Sequence, residues 1–214
     1  DPNTFSKDGT TSLADVSFTE DGSLVAYAIS EGGSDWRKVI VLDAKSKKQI
    51  GETLVDVKFS GLAWFKNEGF YYSSYDKPTG SELSAKTDQH KLYYHKLGTA
   101  QKTDKVIFGD TTKRRYVGGY VTSDQKYLVI TTANATSGNE LYLQDLTTAN
   151  EPIVTVVTGF ENDYSVIDSK DGKLYIVTNY QAPNKKLVVA DVADVATRSS
   201  WKDVIPETEN VLDL

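Results

Sequence analysis

The stretch that decides the fold is VKFSGLAWFKNEGFYYSSY, residues Val57–Tyr75. It predicts an apolar strand, a turn at Asn67-Glu68-Gly69, and a second strand rich in tyrosine. Aromatic and β-branched residues favour strands because they pack well on a pleated, half-buried surface, while Asn and Gly tolerate the backbone angles of turns. A third strand, KLYYHKL at Lys91–Leu97, follows after a long polar insertion. The stretch therefore predicts antiparallel strands joined in sequence.

The same order of strands and turns recurs four times along the chain. The first turn of each copy is marked by residues that lie 47, 56 and 47 positions apart, namely Gly22, Gly69, Gln125 and Gly172. The middle spacing is longer because the second copy holds the polar insertion. Each copy leaves room for a fourth, outer strand, so the units cover approximately residues 13–57, 58–108, 116–157 and 163–205.

Four antiparallel strands repeated at this period are typical of β-propeller blades. We therefore predict an all-β fold, with about four four-stranded antiparallel units in a single propeller portion that spans residues 1–214. The alternative is a β-sandwich or barrel with evenly spaced strands, but those folds do not require units that resemble one another. Because propellers usually have more blades, we expect the chain to be a run of blades from a longer ring.

Composition narrows the classes of function. The chain has 214 residues, no cysteine and a net charge of −6, so disulfides, thiolate chemistry and a nucleic-acid partner are not expected. No run of the sequence approaches the ~20 apolar residues that a membrane span needs, so no membrane partner is expected either. With two histidines and no cysteine, the sequence predicts neither a metal site nor another cofactor.

Catalytic motifs are missing from the sequence. The nearest match to the Gly-x-Ser-x-Gly nucleophile elbow is Gly32–Trp36, where a bulky Trp replaces the last Gly and no helix follows. His90 and His95 lie five positions apart around a predicted strand, which points them to opposite faces and favours structural roles. By its own residues, the chain is predicted to be inactive alone.

Several longer motifs resemble the prolyl oligopeptidase (prolyl endopeptidase) family, and the similarity looks closest to bacterial members. The motifs are GGSDWRKV at Gly32–Val39, VKFSGLAW at Val57–Trp64, GFYYSSY at Gly69–Tyr75, HKLYYHKLG at His90–Gly98 and RYVGGY at Arg115–Tyr120. The resemblance covers essentially the whole chain. It implies a location in the cytoplasm or periplasm of a bacterium.

The resemblance also implies an activity for the parent protein. The family joins an α/β-hydrolase domain with a Ser-Asp-His triad to a seven-bladed propeller, which caps the active site. It hydrolyses short peptides on the carboxyl side of proline. By this resemblance, the chain would supply about four blades and none of the triad, and its partners would be proline-containing peptides and the missing hydrolase domain.

Four positions match family residues with known roles. Phe59 matches an aromatic residue of the pocket for substrate residues on the amino side of proline. Val117 matches an apolar position of the same pocket, and Trp36, also assigned to the pocket by the resemblance, matches a residue at the face between the propeller and the hydrolase domain. Asp35 lies at that face, where the resemblance implies an ion pair with an Arg of the missing domain.

The polar insertion matches a mobile loop that reaches over the active site, and it includes Asp76, Ser84 and His90. One position departs from the family pattern. The family can carry a substrate-holding Arg in the region where this chain has Ala133 and Asn134, so the resemblance does not carry that role over.

Two alternatives stay open at this point. Phe59 and Trp36 could belong to ordinary blade core, and the whole chain could be a stand-alone propeller-like module that binds proteins or peptides without any enzyme. A ring cut open exposes apolar blade faces, so the fragment is also expected to self-associate.

Overall fold

The computed structural model describes residues 9–76, 87–109 and 113–213. Almost all regular structure in these residues is β-strand, and sixteen strands form four sheets of four strands each. Within the same residues, no helix has the length and apolar character needed to cross a membrane. The prediction of an all-β chain built from four-stranded antiparallel units is confirmed.

The chain divides into two compact units, residues 1–120 and 121–214. The first unit holds two sheets in which each strand pairs with the next: β1 (Thr11–Phe18), β2 (Leu24–Glu31), β3 (Trp36–Asp43) and β4 (Leu54–Lys58), then β5 (Ala63–Phe65), β6 (Gly69–Ser74), β7 (Lys91–Lys96) and β8 (Lys105–Phe108). Small side chains of the first sheet, such as Ala26 and Val39, pack against aromatic ones of the second, such as Trp64 and Phe70.

The third and fourth sheets form the second unit, except that residues 116–120 of the third sheet's first strand belong to the first unit. Their strands are β9 (Tyr116–Val121), β10 (Tyr127–Ala133), β11 (Glu140–Asp145) and β12 (Val154–Val157), then β13 (Tyr164–Lys170), β14 (Lys173–Thr178), β15 (Lys186–Asp191) and β16 (Lys202–Ile205). The core of this unit is mostly aliphatic, with Leu141, Leu174 and Ile176 each exposing at most 1% of their surface.

The stretch Val57–Tyr75 is divided between the first two sheets, and its apolar half, predicted as a strand, holds the end of β4 and the short β5. Val57 and Lys58 end β4, while β5 has only three residues and begins at Ala63. Phe59 lies between them with a φ of 51°, a left-handed conformation that cannot continue a strand. The chain therefore leaves the first sheet at Phe59.

The turns between the first two strands follow the predicted markers in three of four sheets. Gly22, Gln125 and Gly172 have φ values of 67°, 59° and 73°. In the second sheet the left-handed residue is Lys66, with a φ of 51°, whereas Gly69 already belongs to β6. Gly69 is required there because a Cβ would collide with the carbonyl oxygen of His95.

The pairing of the third strand with the outer strand is irregular in every sheet. The register shifts between Arg37 and Val39 in the first sheet and between Leu92 and Tyr93 in the second. The same shift occurs at Leu141/Tyr142 in the third sheet and at Leu187/Val188 in the fourth. Such bulges bend and twist the strand that carries them.

Candidate functional site

Three residues around one lysine form the candidate site, and we refer to Asp35, Trp36, Lys58 and Phe59 as the Lys58 cluster. The Lys58 Nζ lies 5.0 Å from the ring centroid of Trp36 and 5.2 Å from that of Phe59. It also lies 3.9 Å from Oδ2 of Asp35. The cluster therefore holds one cation between two aromatic rings and a carboxylate.

The edge of the first sheet brings these residues together. Trp36, the first residue of β3, is directly opposite Lys58, the last residue of β4. Asp35 immediately precedes β3, and the backbone N–H of Trp36 donates to Ser34 Oγ at 3.1 Å. Because Phe59 adopts a left-handed backbone, its ring lies beside the Lys58 ammonium.

Phe59 is also the centre of an aromatic wall. Its ring meets the ring of Tyr116 edge-on at 5.8 Å and that of Tyr75 at 6.3 Å, and 38% of the residue is exposed. Burial raises the pKa of Tyr75 to about 12, so its hydroxyl stays neutral and donates to the Arg115 carbonyl. An edge-to-face arrangement is favourable for aromatic rings, and it leaves one side of Phe59 open to a ligand.

His90 anchors the wall from inside. It is fully buried, and its Nδ1 accepts the backbone N–H of Val117 at 2.8 Å. The ring hydrogen therefore lies on Nε2, which donates to the Lys58 carbonyl at 2.9 Å. Burial lowers the pKa of His90 to about 4, against a smaller opposing effect of that hydrogen bond, so the ring is neutral. Both ring nitrogens are occupied, which leaves His90 a structural link rather than a base.

The structure thus places three residues that the sequence singled out, Asp35, Trp36 and Phe59, around Lys58. Val117 is 1% exposed and joins the site through its backbone N–H. Asp76 forms a 2.7 Å ion pair with Lys91.

The predicted gate loop lies partly outside the described residues, and Ser84 is among those not described. Its mobile role stays a prediction, as do the pocket roles carried over by resemblance. His90, at the end of that loop, is buried and hydrogen bonded at its backbone as well, since its N–H donates to the Arg114 carbonyl at 2.8 Å.

Sequence reasoning missed Lys58, although a signal was available. Lys58 is the one charged residue in the apolar run from Val57 to Phe65. A lysine on a strand usually extends its ammonium group into solvent, so residue type alone indicated no functional role for Lys58. In the structure the residue exposes only 9% of its surface.

One buried donor in the cluster lacks an acceptor. The indole Nε1–H of Trp36 has no hydrogen-bond partner among the residues that the structure describes. Trp36 lines a cavity of about 190 Å³, together with Ile29, Arg37 and Val55. Over the described ranges, no group of three or more acidic, histidine or cysteine side chains could hold a metal ion.

Comparison with known proteins places the fold. The family model described as "Prolyl oligopeptidase, N-terminal beta-propeller domain" matches residues 1–213. A prolyl endopeptidase of Elizabethkingia meningoseptica is 55% identical over all of this chain and 30% of its own length, and prolyl oligopeptidase A of Amanita bisporigera is 32% identical over 97% of the chain and 30% of its own length.

Solved structures agree with this match. A prolyl endopeptidase structure from a study of inter-domain dynamics superposes with a TM-score of 0.87 at 30% identity, over 100% of this chain and 30% of its own. Prolyl oligopeptidase B from Galerina marginata, bound to a 25-residue macrocyclisation substrate, gives 0.85 at 26% identity, over 98% of this chain and 31% of its own. The predicted resemblance and the propeller fold are confirmed, and the chain spans about 30% of the length of the relatives it matches.

Proposed function

The chain belongs to the prolyl oligopeptidase family, within its N-terminal β-propeller domain, and from this premise we propose that it forms part of the wall of a peptide pocket. The protein that carries it would hydrolyse short peptides on the carboxyl side of proline by serine-type acyl transfer. The triad would come from a hydrolase domain, because the chain itself carries no nucleophile elbow.

The observation that carries this proposal is the half-exposed ring of Phe59. Tyr75 and Tyr116 hold it edge-on, so the ring is oriented before any ligand arrives. A pre-oriented aromatic face supports binding because little side-chain freedom is lost when an apolar residue packs on it. We propose that Phe59, with Trp36, contacts substrate residues on the amino side of proline, and that Val117 contributes to the pocket from behind, through the hydrogen bond of its backbone N–H to His90. Asp35, whose side chain is 63% exposed, would pair with an Arg of the hydrolase domain.

The test uses the gene that encodes this chain, expressed in full, and chromogenic peptides that end in proline before the leaving group. We expect cleavage after proline that a serine-directed inhibitor abolishes, and no turnover by the chain alone. Phe59→Ala should raise KM about tenfold for longer peptides, as expected for a lost aromatic contact, and leave the shortest proline substrate less affected. Phe65→Ala is the matched control, since Phe65 lies on β5 outside the cluster.

A full gene product that cleaves no proline peptide would overturn this proposal, and it would favour a binding module without enzymatic activity. Turnover by the chain alone would refute the placement of the triad in another domain. Equal effects of the two phenylalanine variants would show that Phe59 is ordinary blade core.

We also propose that the isolated chain self-associates. On β1, the side chains of Leu13, Val16 and Phe18 are 49%, 41% and 57% exposed, and an apolar strand surface of this kind favours association. Light scattering of the pure chain should give a mass above 23.6 kDa that rises with concentration. A constant monomeric mass would contradict the proposal.

A further inference from the structure

The proposed function leaves the Lys58 ammonium without a task. An ammonium group has three N–H donors, and burying it is costly unless these donors find acceptors. Lys58 is 9% exposed, yet its ammonium makes no hydrogen bond to any residue that the structure describes. Its ion-pair partner, Asp35, is 3.9 Å away, beyond hydrogen-bond distance.

The rings of Trp36 and Phe59 explain how the cation is held in place. Both centroids lie close to 5 Å from Nζ, at 5.0 and 5.2 Å, which is within the range of cation–π attraction. Ring faces stabilise a positive charge but accept its N–H donors only weakly. The ammonium is therefore positioned and still able to donate.

A second donor lies in the same cluster. The indole N–H of Trp36 is buried and has no acceptor in the described part of the chain. Buried polar groups without a partner are uncommon in folded proteins, and each one calls for an explanation. This buried donor and the Lys58 ammonium, which makes no hydrogen bond to a described residue, indicate a site that is completed by an oxygen acceptor from outside the chain.

The charge of the Lys58 cluster indicates which kind of acceptor would bind the ammonium. Under the proposed function, Asp35 pairs with an Arg of the hydrolase domain, which turns its carboxylate away from Lys58. The ammonium then lacks the one counter-ion that it has among the described residues, while it stays beside the exposed ring of Phe59. A carboxylate is the acceptor that restores charge balance, and hydrogen bonds between charged groups are about twice as strong as neutral ones.

We propose that Lys58 is a specificity-determining residue, which binds an acidic side chain of the peptide on the amino side of proline, with Trp36 Nε1–H as a second donor. This inference rests on the proposed function. It predicts that the enzyme prefers Glu over Gln at one upstream position of its substrate.

The experiment uses the gene product expressed in full and a set of peptides that differ in one residue upstream of proline. Glu, Gln and Lys are placed in turn at the second, third and fourth positions before the cleaved bond. At one position we expect kcat/KM for Glu to exceed that for Gln about tenfold, the size of one charge-assisted hydrogen bond, and to exceed that for Lys by more.

Lys58→Met should bring the Glu-to-Gln ratio to about one while cleavage of the Gln peptide continues, and Lys58→Arg should preserve the preference because it keeps the charge. Lys66→Met is the matched control. The Lys66 ammonium also lies near a ring, 4.9 Å from the Phe65 centroid, but its side chain is 57% exposed outside the cluster. This variant should keep the wild-type ratio.

The salt dependence of the Glu-to-Gln ratio tests the ion pair in the wild-type enzyme alone. Raising the salt concentration of the wild-type assay should lower the Glu-to-Gln ratio, since screening weakens an ion pair. Equal cleavage of the Glu and Gln peptides by the wild-type enzyme would overturn the inference and leave the proposed function intact. A Glu preference that survives in Lys58→Met would also overturn it. Failure to cleave any proline peptide would instead refute the proposed function.

Discussion

In the second sheet β6 pairs with β7 in the same register as β14 pairs with β15 in the fourth sheet, but the side chains at equivalent positions differ. In the second sheet, Phe70 on β6 is opposite His95 on β7, and two residues further on Tyr72 is opposite Tyr93. At the corresponding pairs of the fourth sheet, Leu174 is opposite Ala190, and Ile176 is opposite Val188. Equivalent positions therefore hold aromatic and polar side chains in the second sheet and aliphatic side chains in the fourth.

The buried polar groups of the second sheet need hydrogen-bond partners, whereas the aliphatic side chains of the fourth sheet do not. His95 Nδ1 lies 2.9 Å from Asp104 Oδ1, and the Tyr72 hydroxyl donates to Asp104 Oδ2 at 2.9 Å. The side chains of His95 and Asp104 are each 2% exposed. A buried polar network of this kind favours a single arrangement, because a shifted strand would leave its members unpaired. Tyr75, part of the aromatic wall at the candidate site, directly follows β6 of this sheet.

The largest expected effect is the loss of stability when alanine replaces Phe70 of the second sheet or Leu174, its equivalent in the fourth. Phe70→Ala is expected to destabilise the chain by about 4 kcal/mol and Leu174→Ala by about 3 kcal/mol, because a phenylalanine leaves the larger cavity. Urea unfolding measures both values, and hydrogen exchange of β6 and β14 assigns each loss to its sheet. A smaller loss for Phe70→Ala would show that its aromatic neighbours Trp64 and His95 collapse into the space.

The second-largest expected effect is the interaction energy between His95 and Asp104 of the polar network. A double-mutant cycle with His95→Ala and Asp104→Ala is expected to give about 2 kcal/mol of interaction, as for buried groups in one network. The matched cycle uses Lys173 and Asp191 of the fourth sheet, whose side chains are 48% and 62% exposed at 3.9 Å, and it should give below about 0.5 kcal/mol. Similar values in the two cycles would remove the distinction between the sheets.

Acid should also weaken the first unit through His90, since the second unit contains no histidine. The folded pKa of about 4 lies below the unfolded value of about 6.5, so protons bind the unfolded state more tightly. The stabilisation is complete above about pH 6.5 and is lost as the pH falls toward 4, with about 2 kcal/mol lost between pH 7 and 5.

Urea midpoints across this range measure the pH effect. His90→Gln is the comparison variant, because an amide can accept from Val117 and donate to Lys58 without titrating. Its stability should change less over the same range. A variant with an unchanged pH slope would mean that other groups carry the effect.

The smallest expected effect concerns the turn that leads into β6. Hydrogen bonds hold the pKa of Asp21 well below its usual range, first from the Ser23 N–H and then from the Asn67 side chain, whose Nδ2 donates at 2.8 Å. Asn67→Ala should therefore raise the pKa of Asp21, which NMR titration can follow. Asp124 in the second unit also accepts a hydrogen bond from a threonine hydroxyl and serves as the control whose titration stays in place.

The fold could be predicted from the sequence because its signals are local. Strands alternate apolar residues, and turns such as Glu20-Asp21-Gly22 force the backbone to reverse. Gly69 shows the limit of that reasoning. A glycine near a predicted turn has two physical explanations, a left-handed φ or a close approach, and only the structure reveals that the His95 carbonyl requires it here.

The site could be predicted only in part. Resemblance singled out Phe59, Trp36 and Asp35, whose roles stay predictions. Lys58 escaped because its burial depends on β3 and β4 meeting, a contact that residue spacing does not encode. The link between His95 and Asp104 escaped for the same reason, since a 3-10 helix at Gln101–Thr103 separates them in the chain.

The register shifts of the outer strands have a consequence for aggregation. A regular outer strand presents a row of unpaired N–H and C=O groups, onto which another chain can add a strand of its own. In all four sheets the shift next to the outer strand twists this edge, so that a flat incoming strand finds no matching ladder. Each blade thereby carries its own protection against cross-β stacking, which matters most while the chain is newly made and its neighbours have not yet packed.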